Sequence, residues 1–521
     1  MSQAPANTYD LIPYDSHAFR ATHPDTLSSI AALFGMEPAP PDRCRVLELG
    51  CASGGNLIPM AVALPGSTFV GVDLSVRQID DGHATLRALG LGNVSLLHCD
   101  LRDVDSVLGH FDYIVCHGVY SWVPREAQDR IMAICRELLA PQGVAYISYN
   151  TYPGWHLRAT VREMMNYHAG HFDDPRSRID QSRALLDFLV KAAPEDGSAY
   201  SRLLRDELQI LRDRQDSYLF HEHLEEHNEP VYFYRFMERA AAAGLRFLGE
   251  ASLDAMLPLN FSAEVQETLR RIAPDIIRME QYMDFLRNRM FRRTLLCHEQ
   301  VRLERDLRPE VVRRFHISST LAPAEREVDF DFPGELVFQH PTGATVTVRS
   351  AWEKALLYTL WEFAPAGTTV GHLVEAARQR LGRAPADADP EQAACSTILN
   401  CYSAGLLDLR LQPDRFTTAV SQRPVTSTLV RHQAARGRVA TNLRHDSVAL
   451  GPFDAVLLPL LDGSRDRAAL IDALSAAIAD GRLVMHRNED KVTDPDEVRG
   501  LTAQALEVAL SQLAAKMLLV A

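Results

Sequence analysis

Val46-Leu47-Glu48-Leu49-Gly50-Cys51-Ala52-Ser53-Gly54-Gly55-Asn56 is the stretch that decides the fold. A short apolar run ends at a glycine-rich turn, and Leu57 to Leu64 then takes up helical spacing. Glycines in such a turn permit positive φ and let a ligand approach the backbone, while the helix N-terminus behind it offers free N–H donors. Outward from this turn the alternation continues. Thr68 to Val72 is a second β-rich run, followed by a helical stretch through Leu86, and Val94 to Cys99 is a third. Phe111 to Cys116 and Val144 to Tyr149 are the fourth and fifth, with a helix over Arg125 to Leu139 between them. Strands alternating with helices predict a doubly wound, mainly parallel α/β sheet that binds its ligand at the carboxyl ends of the strands.

Three acidic residues sharpen the reading. Glu48 precedes the first glycine by two positions, and Asp73 closes the second strand 19 residues after Gly54, where a carboxylate can accept both ribose hydroxyls. Asp100 closes the third strand, where an adenine amino group would lie. A dinucleotide fingerprint wants G-x-G-x-x-G, whereas this loop reads G-x-A-x-G-G with Ala52 in the middle, and nothing downstream looks like a hydride-transfer centre. The pattern resembles the class I S-adenosylmethionine (SAM) methyltransferases, from whose usual G-x-G-x-G loop Ala52 is a mild departure. That resemblance implies SAM as cofactor. It places Glu48, Gly50, Cys51, Ala52, Gly54 and Asn56 near the methionine end, Asp73 with Leu74 at the ribose and Asp100 with Leu101 at the adenine, and it adds His117 to the cofactor set.

The acceptor side is expected in the next two loops, Cys116 to Pro124 and Ser148 to His156, which hold two of the chain's 4 Trp and three of its 15 Tyr. Aromatic faces attract a sulfonium or a cationic amine. Tyr120, Trp122, Asn150, Tyr152 and Trp155 are therefore expected to line an acceptor pocket, with Asn150 orienting an amine through its carbonyl oxygen. Tyr149 reads as inward-facing on its strand and is expected in the core. His117 is read either as a proton acceptor or as a scaffold residue, with no preference between them. The arm Tyr9 to His17, leading to Thr22-His23-Pro24-Asp25, is read equally as a flap over the cofactor or as a packed extension.

Composition bounds the remainder. The chain has 521 residues, 46% hydrophobic and 23% charged, which is ordinary globular usage and leaves room for three or four units at ~150 residues each. The balance of 54 Lys and Arg against 68 Asp and Glu gives a net charge of −14, which argues against a general nucleic-acid binder. No apolar run approaches the ~20 residues that cross a bilayer, and the start lacks the pattern of a secretory signal, so a cytoplasmic protein without membrane insertion is expected. Eight cysteines form no CxxC pair, so buried thiols are expected rather than disulfides or a metal site.

Trp155 to His227 is charged and helical. Phe236 to Gly249 then reads as an amphipathic helix, a glycine stop and a short strand that completes the sheet. The helices before it, about 156–228, are therefore an insertion placed to form a substrate lid. Glu280 to Leu296 is read as one helix with an apolar and a basic face. Further on, Leu399 to Leu409 parallels Leu510 to Val520, each preceded by a capped helix, with Thr369 and Ser464 as the caps. This looks like a winged helix used twice. The linkers are read at Ala384 to Glu391 and Gln412 to Pro424. Residues 425–521 carry 11 basic and 12 acidic residues with no basic stripe, so protein docking or homodimerisation is expected there rather than DNA reading.

Taken together, the loop Val46 to Asn56, Tyr120 to Pro124, Tyr149 to Trp155, His221 to Phe233, Gln281 to Cys297 and Leu461 to Asp466 resemble the bacterial SAM-dependent methyltransferases with a methyltransferase regulatory domain. That group includes protein-lysine methyltransferases acting on outer-membrane proteins. The resemblance implies a seven-stranded class I methyltransferase domain over 1–260, a middle or regulatory domain over 261–424 with a winged-helix-like part at about 350–412, and a winged-helix-like domain over 425–521. It implies methyl transfer to lysine nitrogens of a protein substrate. A small-molecule methyltransferase and a non-catalytic SAM-binding sensor or scaffold stand as the alternatives.

Overall fold

The computed structural model describes residue 12 and residues 16–212, 214–382, 389–487, 490–492 and 494–520. Tyr9, Asp10, Leu11, Pro13, Tyr14 and Asp15 of the expected arm, and 384–388 of the first expected linker, lie outside the described residues.

Seven strands build the main sheet: β1 Arg45–Leu49, β2 Thr68–Asp73, β3 Val94–His98, β4 Phe111–Cys116, β5 Leu139–Asn150, β6 Leu245–Glu250 and β7 Phe291–His298. Their order is β3-β2-β1-β4-β5-β7-β6. β1 pairs in parallel with both β2 and β4, so the chain reverses direction of travel across the sheet at β1, beside the glycine turn. Apolar runs such as Val46-Leu47 and Ile114-Val115 are wholly buried because helices cover both faces of this part of the sheet.

One strand departs from expectation. The stretch Glu280 to Leu296 is not one helix: the helix Ile276–Arg287 stops at Asn288, which takes the left-handed conformation, and β7 follows. β7 runs antiparallel between β5 and β6, so the sheet continues well past residue 260, where the sequence reading ended the domain. The basic face of the presumed helix is in fact a buried cluster. The Arg292 guanidinium is enclosed by Glu250 at 2.7 Å, Glu280 at 2.9 Å and Asp284 at 2.8 Å, and lies 3.8 Å from the centre of the Phe233 ring. These carboxylates belong to β6 and to the helix Ile276–Arg287, so one cation ties both to β7.

The insertion between β5 and the helix Phe233–Ala242 is helical, as expected, with helices Trp155–Ala169, Pro175–Ala192 and Ala199–Arg212 and a π-helical turn Phe220–Leu224. It has its own apolar centre, including Met165, Leu186, Leu204 and Phe220. Two further cores follow. One is built on Ala351–Phe363, Val370–Leu381 and Pro390–Ser403 with a three-stranded sheet; the other on Thr428–Ala434, Arg467–Ala479 and Pro495–Ala515. Thr369 caps its helix as read, whereas Ser464 does not: Asp466 accepts from the Ala469 N–H and starts the helix, and Ser464 is turned onto Asp462. All eight cysteines are free thiols. Among the described residues no helix is long and apolar enough to cross a membrane.

Arg292→Leu leaves Glu250, Glu280 and Asp284 with Arg289 alone, which reaches Asp284 at 3.1 Å and Glu280 at 3.9 Å. It is expected to cost about 3–5 kcal/mol, read as earlier loss of the sheet domain in urea. Unfolding together with the wild type would show the cluster to be neutral for stability.

Candidate active site

At the end of β1 the chain turns under tight restraint. Gly50 has φ +74°, and a Cβ there would lie 2.4 Å from Val119 Cγ2, so only glycine fits the turn. The Ala52 N–H donates to Asp73 Oδ2 at 2.7 Å and the Ser75 N–H to Asp73 Oδ1 at 2.9 Å, which clamps the loop to the end of β2. Glu48 is buried; its Oε1 accepts from Asn56 Nδ2 at 2.7 Å, and its Oε2 has no partner. Burial pushes the Glu48 carboxyl up to about 8, against the opposing pull of the Asn56 bond.

This turn forms one end of a cavity of about 550 Å³. Gly50, Cys51, Ala52, Asn56, Asp73, Leu74, Asp100 and Leu101 all line it. Gly54 does not; its φ of +78° shapes the turn from behind, packed against Ile58 and Leu96. Asp100 is held by Arg102, whose Nη2 lies 2.6 Å from Oδ2, and this pairing keeps the acid below the ordinary carboxylate range.

The acceptor-side residues divide. Trp122, Asn150, Trp155 and His117 line the same cavity. The two indoles meet edge to face with centroids 6.3 Å apart, the Trp155 ring lies under Arg158 and the Trp122 ring under Arg162. Asn150 is buried; its backbone N–H donates to Ser121 Oγ, and its side-chain Nδ2 has no partner. His117 shares a hydrogen bond with the Tyr146 hydroxyl at 2.8 Å, and burial lowers it to about 4.

Two expected pocket residues sit elsewhere. Tyr120 is fully buried on the other side of its 3-10 turn, against Phe236 with ring centroids 5.3 Å apart. It faces the helix Phe233–Ala242, whereas Trp122, two positions on, faces the cavity. Tyr152 stacks on His156 at 4.0 Å and stands beside Tyr232, outside the cavity lining, because the chain turns at Gly154 against the backbone of Asn288. Tyr149 is in the core, stacked on Phe236.

The arm, read from the sequence equally as a flap over the cofactor or as a packed extension, supplies lining residues, and others escaped the sequence reading. Ser16, His17 and Phe19 reach the cavity from the N-terminal side: Ser16 Oγ accepts from the Gly55 N–H, and the Phe19 ring lies 3.9 Å from that of His117. The end of the arm, Ser16 and His17, is thus part of the wall of this cavity. From the insertion come Arg158, Tyr218, His221 and Glu222. His445 of the last domain adds a support behind the loop, its Nε2 donating to Asn56 Oδ1 at 2.7 Å. Local patterning carries no signal for a contact between residues so far apart. Among the described residues no group of His, Cys, Asp and Glu could hold a metal ion.

Comparison with known proteins gives three family matches: "Methyltransferase domain" over residues 47–145, "Predicted methyltransferase regulatory domain" over 215–298 and "PKMT, C-terminal winged helix domain" over 422–518. The chain is similar to PKMT2 from Rickettsia typhi, solved in complex with AdoHcy. The identity is 32% and the TM-score 0.88, over 98% of this chain and 100% of that one. Two Rickettsia prowazekii (strain Madrid E) proteins are also similar. RP789, uncharacterized, is 36% identical over 95% of this chain and 90% of its own length. RP028, also uncharacterized, is 41% identical over 46% of this chain and 96% of its own.

His445→Ala removes one of three donors to the buried Asn56 oxygen, a loss worth about 0.5–1.5 kcal/mol. Isothermal titration with S-adenosylhomocysteine is expected to show weaker binding, although the substitution lies in the last domain. Unchanged affinity would show that the loop holds its shape without this support.

Proposed function

From the premise that the chain belongs to the family of SAM-dependent methyltransferases with a methyltransferase regulatory domain and a PKMT-type C-terminal winged helix, we propose that it methylates lysine side-chain nitrogens of a protein substrate. The observation that carries this reading is the cavity itself, which joins a nucleoside-type loop at one end to two tryptophans, an unpartnered Asn150 amide and a carboxylate at the other. Its free thiols fit a reducing compartment such as the cytoplasm.

The residues present suit the cofactor. Glu48 Oε2 is a buried acceptor without a donor, matched to the methionine ammonium. Asp73 lines the cavity at the end of β2, where a carboxylate can accept ribose hydroxyls. Asp100 and Leu101 lie where adenine would be held. When bound, SAM supplies an electrophilic methyl group, whose bond to sulfur breaks with the electron pair left on sulfur as the acceptor nitrogen forms the new C–N bond.

The protein's own contribution is alignment and dryness. Trp122 and Trp155 wall off water and favour a cationic or methylated amine at their rings. Asn150 positions the nitrogen. His117, lowered to about 4, is neutral at physiological pH and too weak a base to draw a proton from an ammonium of ordinary pKa ~10.4; it serves as a scaffold between Phe19 and Tyr146. A protein substrate suits the trailing winged-helix modules, for which a small-metabolite enzyme would have little use; these modules are also where a homodimer would form.

Incubation with methyl-labelled SAM and a cell-envelope extract, followed by amino-acid analysis, is expected to place label in methylated lysine. Label in small molecules alone, or none with the cofactor bound, would overturn the assignment. Asn150→Ala is expected to lower turnover about tenfold or more while leaving S-adenosylhomocysteine affinity unchanged, since Asn150 serves the acceptor. An equal loss in both would place Asn150 on the cofactor.

A further inference from the structure

The helical insertion brings one carboxylate to the cavity among the described residues, that of Glu222. Glu222 sits in the π-helical turn Phe220–Leu224, a geometry that inserts an extra residue into a helical turn and recurs at functional sites. Its neighbours in the turn are occupied, except that the buried His223 has no hydrogen bond on either ring nitrogen. Phe220 and Leu224 belong to the insertion's apolar centre. His221 bonds Glu225 Oε1 at 2.9 Å and the Ile12 carbonyl at 2.7 Å, and His223 faces Glu207 at 3.5 Å. The Glu222 carboxylate has no hydrogen bond or ion pair within the described residues.

The charges around it are already committed. Arg158 is paired with Glu207 Oε1 at 3.2 Å, and Arg162 donates to the backbone carbonyls of Glu222 and Glu225. With His221 these are the cationic or titratable groups that pull the Glu222 carboxyl down, and Tyr218 is the phenol beside it; burial outweighs them and lifts it to about 7. A carboxylate partly withdrawn from water without a hydrogen-bonded partner is costly, and Arg158 and Arg162, engaged elsewhere, do not fully offset that cost. Asn150 Nδ2 is also without a partner on this side, but it is a donor, so the attraction for a cation comes from the carboxylate and from the indole walls. With Arg158 and Arg162 engaged by Glu207 and backbone carbonyls, the Glu222 carboxylate and the indole faces are the groups here that suit a primary ammonium.

We propose that Glu222 receives the protonated amine of the acceptor side chain and takes one of its protons, freeing the nitrogen lone pair for the methyl group. One N–H bond breaks, its electron pair stays on nitrogen and the proton goes to a Glu222 oxygen. After transfer the product is a methylated ammonium, and Glu222 returns its proton to water. The assignment rests on the amine-acceptor reading above and names the residue that enforces it. Glu222 is thus a catalytic residue that selects the charge of the substrate.

The test uses the full chain with S-adenosylhomocysteine bound and n-butylamine as the probe, read by the fluorescence of the cavity tryptophans. Glu222→Gln is expected to weaken n-butylamine binding about tenfold or more with S-adenosylhomocysteine affinity unchanged, and Glu222→Asp to recover part of the loss. In methyl transfer to the protein fraction labelled by the wild type, Glu222→Gln is expected to fall about 100-fold at neutral pH. The wild-type kcat/KM is expected to level off above about pH 7, whereas that of the variant climbs toward the ordinary lysine pKa of ~10.4, because only amine already deprotonated can then react. A Glu222→Gln protein that binds n-butylamine and transfers methyl as the wild type does overturns the role of Glu222 alone. A wild type that binds no amine and labels no lysine overturns the amine-acceptor reading and this proposal together.

Discussion

Three distant parts of the chain meet on the side-chain amide of Asn56. Its oxygen accepts from the Phe19 N–H at 3.0 Å, from the Thr22 hydroxyl at 3.2 Å and from His445 Nε2 at 2.7 Å. Its nitrogen reaches Glu48 at 2.7 Å and Thr22 at 2.9 Å. An amide in a dry site must find partners for both ends, and here they come from the entry segment, from β1 and from the last domain. The glycine turn is therefore fixed by tertiary structure as much as by its own φ angles. Asp25 adds a second tie of the same kind, accepting from the Leu411 N–H and from Arg410 in the middle domain.

The segment matching a "regulatory domain" is, in physical terms, part of the catalytic sheet. Residues 215–298 contain the helix Phe233–Ala242, β6 and β7, and β7 is hydrogen-bonded to β5, at whose end Asn150 stands. The Arg292 cluster sets where β7 lies. A shift in it would be transmitted through one ladder of backbone bonds to the acceptor side of the cavity, so this segment and the site share the same strands.

Much of this was legible from the residues. Six strands, the glycine turn and the acids at the ends of β1, β2 and β3 announce themselves by period, by glycine and by position. β7 did not, because Phe291-Arg292-Arg293-Thr294 follows a helix directly and carries two charges, one of which is buried among carboxylates that only folding assembles. Tyr120 and Trp122 could not be told apart because a tight turn sends residues two positions apart to opposite sides. Tyr152 was misplaced for a similar reason, the turn at Gly154 being set by packing against Asn288. Glu222, Arg158 and His445 carry no local signature, since their places depend on how separate bodies dock.

The insertion's private apolar centre has an evolutionary consequence. Because Met165, Leu186, Leu204 and Phe220 satisfy one another, the helical cap can diverge, residue by residue, without unsettling the sheet beneath it. Relatives could in this way inherit one donor chamber and acquire different clientele, with the choice of recipient written in the cap, so long as the few cap residues that reach the chamber, Trp155 and Glu222 among them, keep their places.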